Sequence, residues 1–104
     1  MSKINFESAK MILNNVPDDK IFICRDGTVF RCLEDLPTGL KVLGQDMFNY
    51  HVTPDKNDFA TWIYNTIGDT KLAEDIGLEK DMNKMIKKIK ARITYLQKRI
   101  KKGS

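Results

Sequence analysis

The sequence predicts an α+β fold, a mainly helical single domain with one β-hairpin at about residues 20–32 and a long basic C-terminal helix. Three observations support this class. A chain of 104 residues with 41% apolar content can build one compact core but not two domains. Apolar residues recur at three- and four-residue spacings through most of the chain. The clearest pair of strand-like runs surrounds Asp26-Gly27, a strong hairpin signal.

Apolar residues at helical spacing predict a first short helix over residues 5–15. Ser2 and Asn5 are its two candidate N-caps, because their side-chain oxygens can accept a free backbone N–H of the first turn. Pro17 disfavours helical geometry in the residue before it. The helix is therefore expected to end near Asn15.

Two alternative loops fit the predicted hairpin. A three-residue loop over residues 25–27, with Gly27 in the left-handed region, produces a consistently apolar face. That face consists of Phe22, Cys24, Phe30 and Cys32. A two-residue loop would instead place Arg31 beside Phe22 and Cys24, which makes a poorer apolar face. The pattern favours the three-residue loop.

Leucines at helical spacing predict a second helix over residues 33–43, closed by Gly44. Pro37 must then lie in its first turn, where the missing N–H costs little. A short helical turn is expected over residues 46–50, before the break at Thr53-Pro54.

Two further helices are predicted in the second half of the chain. An apolar stripe over residues 59–67 indicates the first, with Asn57 or Asp58 as its N-cap and Gly68 at its end. Asp69 can cap the next short helix. That helix is expected to end at Gly77.

The segment 78–102 contains no Gly or Pro and is predicted to form the longest helix. Its apolar residues alternate in steps of four and three, as in a heptad repeat, and this pattern predicts a coiled-coil interaction seam. The seam consists of Met82, Ile86, Ile89, Ile93, Leu96 and Ile100. Residues 103–104, Gly-Ser, resemble a cloning remnant.

The charges are divided unevenly along the chain. Residues 1–79 carry eight Lys/Arg and thirteen Asp/Glu, a balance of −5, and form the predicted compact acidic body. Residues 80–102 carry ten Lys/Arg against Asp81 alone, a balance of +9, and form the basic amphipathic helix of the same domain. No stretch has the length of a membrane span and no secretory signal is recognisable, so a cytoplasmic location without membrane contact is expected.

Aromatic, histidine and Gly-Asp positions form a family pattern: Phe22-x-Cys24-x-Asp26-Gly27, Leu33-x-x-Leu36, Phe48-x-Tyr50-His51-Val52, Asn57-Asp58-Phe59-Ala60-x-Trp62-Ile63 and Ile67-Gly68-Asp69-x-x-Leu72-Ala73. Over about residues 21–76 the chain resembles a family of small uncharacterised proteins, mainly archaeal, that also occurs as a domain of longer chains. The resemblance implies a discrete fold and an archaeal source. It assigns no functional residue.

No catalytic or cofactor motif is recognisable. In the preferred hairpin register, Cys24 and Cys32 lie on the order of 13 Å apart, too far to form a disulfide with each other. One histidine and two distant cysteines complete no metal-ligand set. His51 lacks an accompanying nucleophile motif, so a structural role is expected. The sequence therefore predicts no enzyme, cofactor, metal or small-molecule substrate.

The polar face of the C-terminal helix is almost entirely cationic, and it contains almost none of the Glu-to-Lys pairs that usually stabilise exposed helices. This predicts a non-enzymatic module that binds nucleic acid, DNA or RNA, through phosphates. The candidate contacts are Lys84, Lys87, Lys88, Arg92, Lys98, Arg99, Lys101 and Lys102. The other candidate partners are an acidic protein surface and the acidic body of residues 1–79, in the same chain or a neighbouring one. The alternative function is protein interaction or homo-oligomerisation through the Ile/Leu seam.

Overall fold

The computed structural model describes the backbone of residues 4–103 and the side chains of residues 4–101. It confirms the α+β class, a mainly helical domain with a long C-terminal helix. The elements, in chain order, are α1 (Phe6–Leu13), β1 (Phe22–Ile23), β2 (Val29–Phe30), α2 (Leu36–Leu43), α3 (Gln45–His51), β3 (Val52–Thr53), β4 (Lys56–Asn57), α4 (Asp58–Trp62), a π-helical segment (Ile63–Ile67), α5 (Thr70–Gly77) and α6 (Met82–Gly103). Two 3₁₀ turns, Asp18–Lys20 and Leu33–Asp35, precede β1 and α2.

The first hairpin has the register that the apolar pattern favoured. Phe22 lies opposite Phe30, and the three-residue loop is closed by the N–H of Gly27, which donates to the carbonyl oxygen of Cys24 at 2.9 Å. Gly27 has φ = +94°, a conformation that other residues rarely adopt. The prediction of the longer loop is confirmed.

Helix α2 contains Pro37 in its first turn, as expected, and ends at Leu43 with Gly44 as its C-cap. Its unusual Gly39 has a packing function. The Phe30 ring lies directly over the Gly39 Cα, so that a Cβ at this position would overlap the ring. Glycine therefore brings the backbone of α2 against the first hairpin.

Four features differ from the sequence predictions. Residues 33–35 form a 3₁₀ turn, so α2 begins at Leu36 rather than at residue 33. A second antiparallel hairpin pairs Val52 with Asn57, so the prediction of one hairpin was incomplete. Residues 63–67 are π-helical rather than α-helical, with the Gly68 N–H donating to Ile63 O at 2.8 Å. The last helix begins at Met82, not at residue 78, because Asp81 caps it by accepting the Lys84 N–H at 2.9 Å.

The seam of α6 packs on the rest of the same chain, against α1, α2 and α5. Ile86, Ile89, Ile93 and Leu96 are buried, and Met82 and Ile100 are half-buried. Met85, which the heptad pattern omitted, is fully buried beside them. The apolar side of α6 is thus part of the domain core, and only its opposite face remains available to a partner.

Candidate nucleic-acid interface

Besides the exposed Lys88, the polar side of α6 carries a row of five exposed lysines: Lys84, Lys87, Lys90, Lys98 and Lys101. We call this surface the lysine face. Its members fall outside the seam positions and so lie on the polar side of the helix, with Lys90, directly after Ile89, at the edge nearest the seam. From Lys84 to Lys101 the face extends about 25 Å along the helix axis, at about 1.5 Å per residue.

Three members of the lysine face have no partner in the part of the chain that the structure describes. Lys87, Lys90 and Lys98 form neither an ion pair nor a hydrogen bond within residues 4–101. Lys84 lies near enough to Glu79 to interact with its charge. Successive lysines three positions apart repel one another on a helix surface. The lysine face is therefore a band of positive charge that the acidic body leaves largely unmatched.

Arg92, a candidate phosphate contact, instead forms an internal ion pair. Its guanidinium donates to both carboxylate oxygens of Asp69, at 2.7 Å and 2.8 Å. Asp69 is 1% exposed, and its Oδ1 also accepts the N–H of Leu72, which caps α5. A bidentate pair at this depth joins α6 to α5 and removes Arg92 from the set of residues available to a phosphate.

Lys88 and Arg99 are also engaged within the domain. Lys88 pairs with Glu79 at 3.1 Å and donates to the carbonyl oxygen of Asp75 at 3.1 Å. The hydrogen bond from Lys88 is the main reason why the pKa of Glu79 lies below its ordinary value. Arg99 donates to the carbonyl oxygen of Ile4 at 3.0 Å, joining α6 to the residues before α1. The Lys102 side chain lies outside the described residues, as does Ser104 of the supposed cloning remnant.

Lys90 and Tyr95 belong to this surface although the candidate contacts omitted them. Tyr95 lines an open groove of about 350 Å³ between α5 and α6, together with Asp75, Lys88, Ala91 and Arg92. We call it the α5–α6 groove. The signal that could have found both residues is the position of each relative to the seam, since neither occupies a seam position.

His51 is held at both ring nitrogens. Its Nε2 accepts the backbone N–H of Arg25 at 3.2 Å, and because that group can only donate, Nδ1 carries the proton and donates to Asp58 at 3.0 Å. Burial raises the pKa of Asp58, but hydrogen bonds from His51 and Lys56 outweigh this effect and hold the pKa below its ordinary value. His51 therefore has no free lone pair with which to accept a substrate proton.

The cysteines are both free thiols. Burial, with a contribution from the charge of Asp26, raises the pKa of Cys24 to about 11, and burial also raises the pKa of Cys32. Both shifts disfavour the reactive thiolate. Across the described residues, no three or more His, Cys, Asp and Glu side chains converge in the way a metal ion would require. Nor does any described helix combine the length and apolar character needed to span a bilayer.

The residues that carry the family resemblance have structural contacts. Asn57 caps α4 and donates to the carbonyl oxygen of Ile76, while the Trp62 indole donates to the carbonyl oxygen of Lys20. No family model, curated protein or solved structure matches this chain. The resemblance to an archaeal family stays a prediction, and the functional argument depends on the geometry of α6.

Proposed function

We propose that this protein is a non-enzymatic nucleic-acid-binding module that contacts phosphates through the lysine face of α6. The observation that carries the proposal is the unmatched charge of Lys87, Lys90 and Lys98, which no carboxylate of the described residues neutralises. A phosphate backbone supplies closely spaced negative charges along one line. A cytoplasmic location, where nucleic acid is accessible, is part of the same proposal.

The dimensions of the lysine face suit a short stretch of backbone. About 25 Å of helix corresponds to about seven base pairs of duplex, at about 3.4 Å each. Four or five phosphate contacts predict that log affinity falls with log salt with a slope of about −4. Arg92, which could otherwise make the bidentate contact that reads a guanine edge in duplex DNA, is paired with Asp69. Binding should therefore depend weakly on sequence.

A solvated cationic surface is the ordinary explanation of an exposed lysine row, and it makes a different prediction. If the lysines only improve solubility, their exact position on the domain is unimportant and any lysine can replace another. If they bind phosphates, the position on α6 decides the affinity. This difference defines the experiment.

The test compares two doubly substituted proteins with the same net charge. One carries Lys87→Glu and Lys98→Glu on the lysine face. The other carries Lys20→Glu and Lys41→Glu, two exposed lysines of the body that also have no side-chain partner among the described residues. Affinity for labelled duplex DNA and single-stranded RNA is measured by fluorescence anisotropy across a salt series.

The α6 variant is expected to lose most of the affinity and to reduce the salt slope by about two. The body variant should lose much less, since it changes net charge but no contact. Equal losses in the two variants, or none in the α6 variant, would reject the proposal. Light scattering on the same samples shows whether an acidic copy or partner already covers the lysine face.

The alternative function is docking of a second helix through the seam, and it would require α6 to separate from the body of the domain. Ile89 and Leu96 are completely buried in the core of this chain, so a partner could reach them only if α6 left the body. No contact in the described residues favours such a displacement. The lysine face requires no rearrangement, and for that reason we prefer it.

A further inference from the structure

The α5–α6 groove borders the lysine face and has a different chemical character. Ala91 contributes to its lining, and the residues four positions on either side of Ala91 are Lys87 and Tyr95. Tyr95 is 36% exposed although it lies on a helix whose other large apolar side chains are mostly buried. A partly exposed aromatic ring therefore lies within one helical turn of the cationic surface.

The Tyr95 ring is held in a defined position by its neighbours. The guanidinium of Arg92 lies over the ring, with 5.1 Å between its central carbon and the ring centroid. Arg92 is itself held by the buried carboxylate of Asp69, so it cannot move freely away from the ring. A ring that is already ordered loses little entropy when a ligand stacks on it.

From this arrangement we infer that the α5–α6 groove binds one unpaired base of a single-stranded nucleic acid, stacked on Tyr95, while the flanking phosphates lie along the lysine face. The inference rests on the proposed function and specifies its substrate class. Stacking requires a base that is not paired, because in duplex DNA the faces of the bases are covered by their neighbours. Single strands should therefore bind more tightly than duplexes of the same length.

The groove also offers a hydrogen-bond acceptor at its edge. The side chain of Asp75 is 44% exposed, and its Oδ1 accepts from Lys71 at 3.2 Å. A carboxylate accepts readily from the amino group of cytosine. Oligodeoxycytidine is for this reason the single-stranded probe, and a duplex of equal length is the comparison probe.

The experiment uses the full chain and probes of about 12 nucleotides, within the range that single-strand binding sites cover. Tyr95→Ala should weaken single-strand binding at least about fivefold, the lower end of what loss of one base–aromatic stack costs, and leave duplex affinity unchanged. Tyr95→Phe keeps an aromatic ring and should retain both affinities. Ala91→Gln fills the groove without a change of charge and should weaken single-strand binding only.

The outcomes separate this inference from the proposed function. If Tyr95→Ala weakens both probes equally, or neither, base stacking in the groove is refuted while binding through the lysine face stands. If wild type binds neither probe at low salt, or if Lys87→Glu with Lys98→Glu has no effect, both proposals are rejected. Thermal melting shows whether the Tyr95→Ala protein is folded. If it is unfolded, the Ala91→Gln protein alone tests base stacking in the groove, and a single-strand affinity equal to that of wild type refutes the inference.

Discussion

Removal of the Arg92 side chain should destabilise the domain far more than removal of an exposed lysine does. In the native structure the carboxylate of Asp69 is 1% exposed and receives two hydrogen bonds from Arg92. Arg92→Met preserves apolar contact but leaves this charge buried, with the N–H of Leu72 as its one remaining hydrogen-bond donor among the described residues. Loss of one partner of a buried ion pair costs about 3–5 kcal/mol, because the remaining charge stays desolvated.

A double-mutant cycle makes the reasoning quantitative. Asp69→Asn retains an oxygen that can cap α5 but removes the negative charge. Combined with Arg92→Met, it should recover most of the stability lost by Arg92→Met alone, since no uncompensated charge remains. Lys71→Met is the matched control: it breaks the exposed pair with Asp75 and should cost less than about 1 kcal/mol.

Urea unfolding monitored by circular dichroism provides the free energies, with constant m values as the check that only native stability changed. For a domain of this size, a loss of 3 kcal/mol corresponds to a decrease in Tm of about 12 °C or more. The reasoning is refuted if Arg92→Met costs no more than Lys71→Met. It is also refuted if the losses of Arg92→Met and Asp69→Asn simply add in the double variant.

Three further predictions concern other parts of the domain. Gly39→Ala should lower the free energy of unfolding in urea by about 1–3 kcal/mol, because the new Cβ overlaps the Phe30 ring. Gly77→Ala is the control and should be neutral or stabilising, because a Cβ at that position meets open space. Similar effects of the two substitutions would contradict the packing argument. Hydrogen bonds hold the folded pKa of Asp58 below its ordinary value, so the stability that Asp58 contributes is present above the ordinary pKa and is lost as pH falls through the folded pKa. Acid titration of unfolding should therefore show a smaller loss in Asp58→Asn, and identical acid profiles of the two proteins would argue against this contribution. Cys24 is buried and its pKa is raised to about 11, so little reactive thiolate is present at neutral pH. Alkylation of Cys24 by iodoacetamide, followed by mass spectrometry, should therefore be about a hundredfold slower in native than in urea-unfolded protein. Equal rates would show that the thiol is accessible in the native protein.

The parts of the fold that could be predicted are those with a strong local signal. The first hairpin was correctly registered because only one loop length placed Phe22 and Phe30 on one face. Asp69 was the expected cap of α5 and Asn57 one of two expected for α4, and each side chain accepts an N–H group three positions later. Each of these signals lies within a few residues of the structure that it specifies.

The missed elements had weak or ambiguous signals. Each strand of the second hairpin is only two residues long, which is too short for an alternating pattern to be recognised. The π-helical segment has apolar spacings that an α-helix also accommodates. Apolar periodicity therefore carries little information about either element.

The candidate site was predicted in charge but not in detail. Composition identified α6 as the cationic element, yet it could not separate cations facing outward from those paired internally. The partner of Arg92 is 23 positions earlier in the chain, and the partner of Arg99 is 95 positions earlier. Its place outside the seam positions would have put Lys90 on the polar side of the helix, but no local rule pairs Arg92 with Asp69.

The packing of α1 on α6 has a consequence for how the chain folds during synthesis. Arg99 donates a hydrogen bond to the carbonyl oxygen of Ile4, which precedes it by 95 positions. At about 5–20 residues per second, the ribosome adds Arg99 about 5–20 s after Ile4. Throughout this interval the apolar side of α1, including the buried Ala9 and Ile12, lacks the surface that finally covers it. A nascent chain stalled before α6 should therefore remain protease-sensitive and available to chaperones.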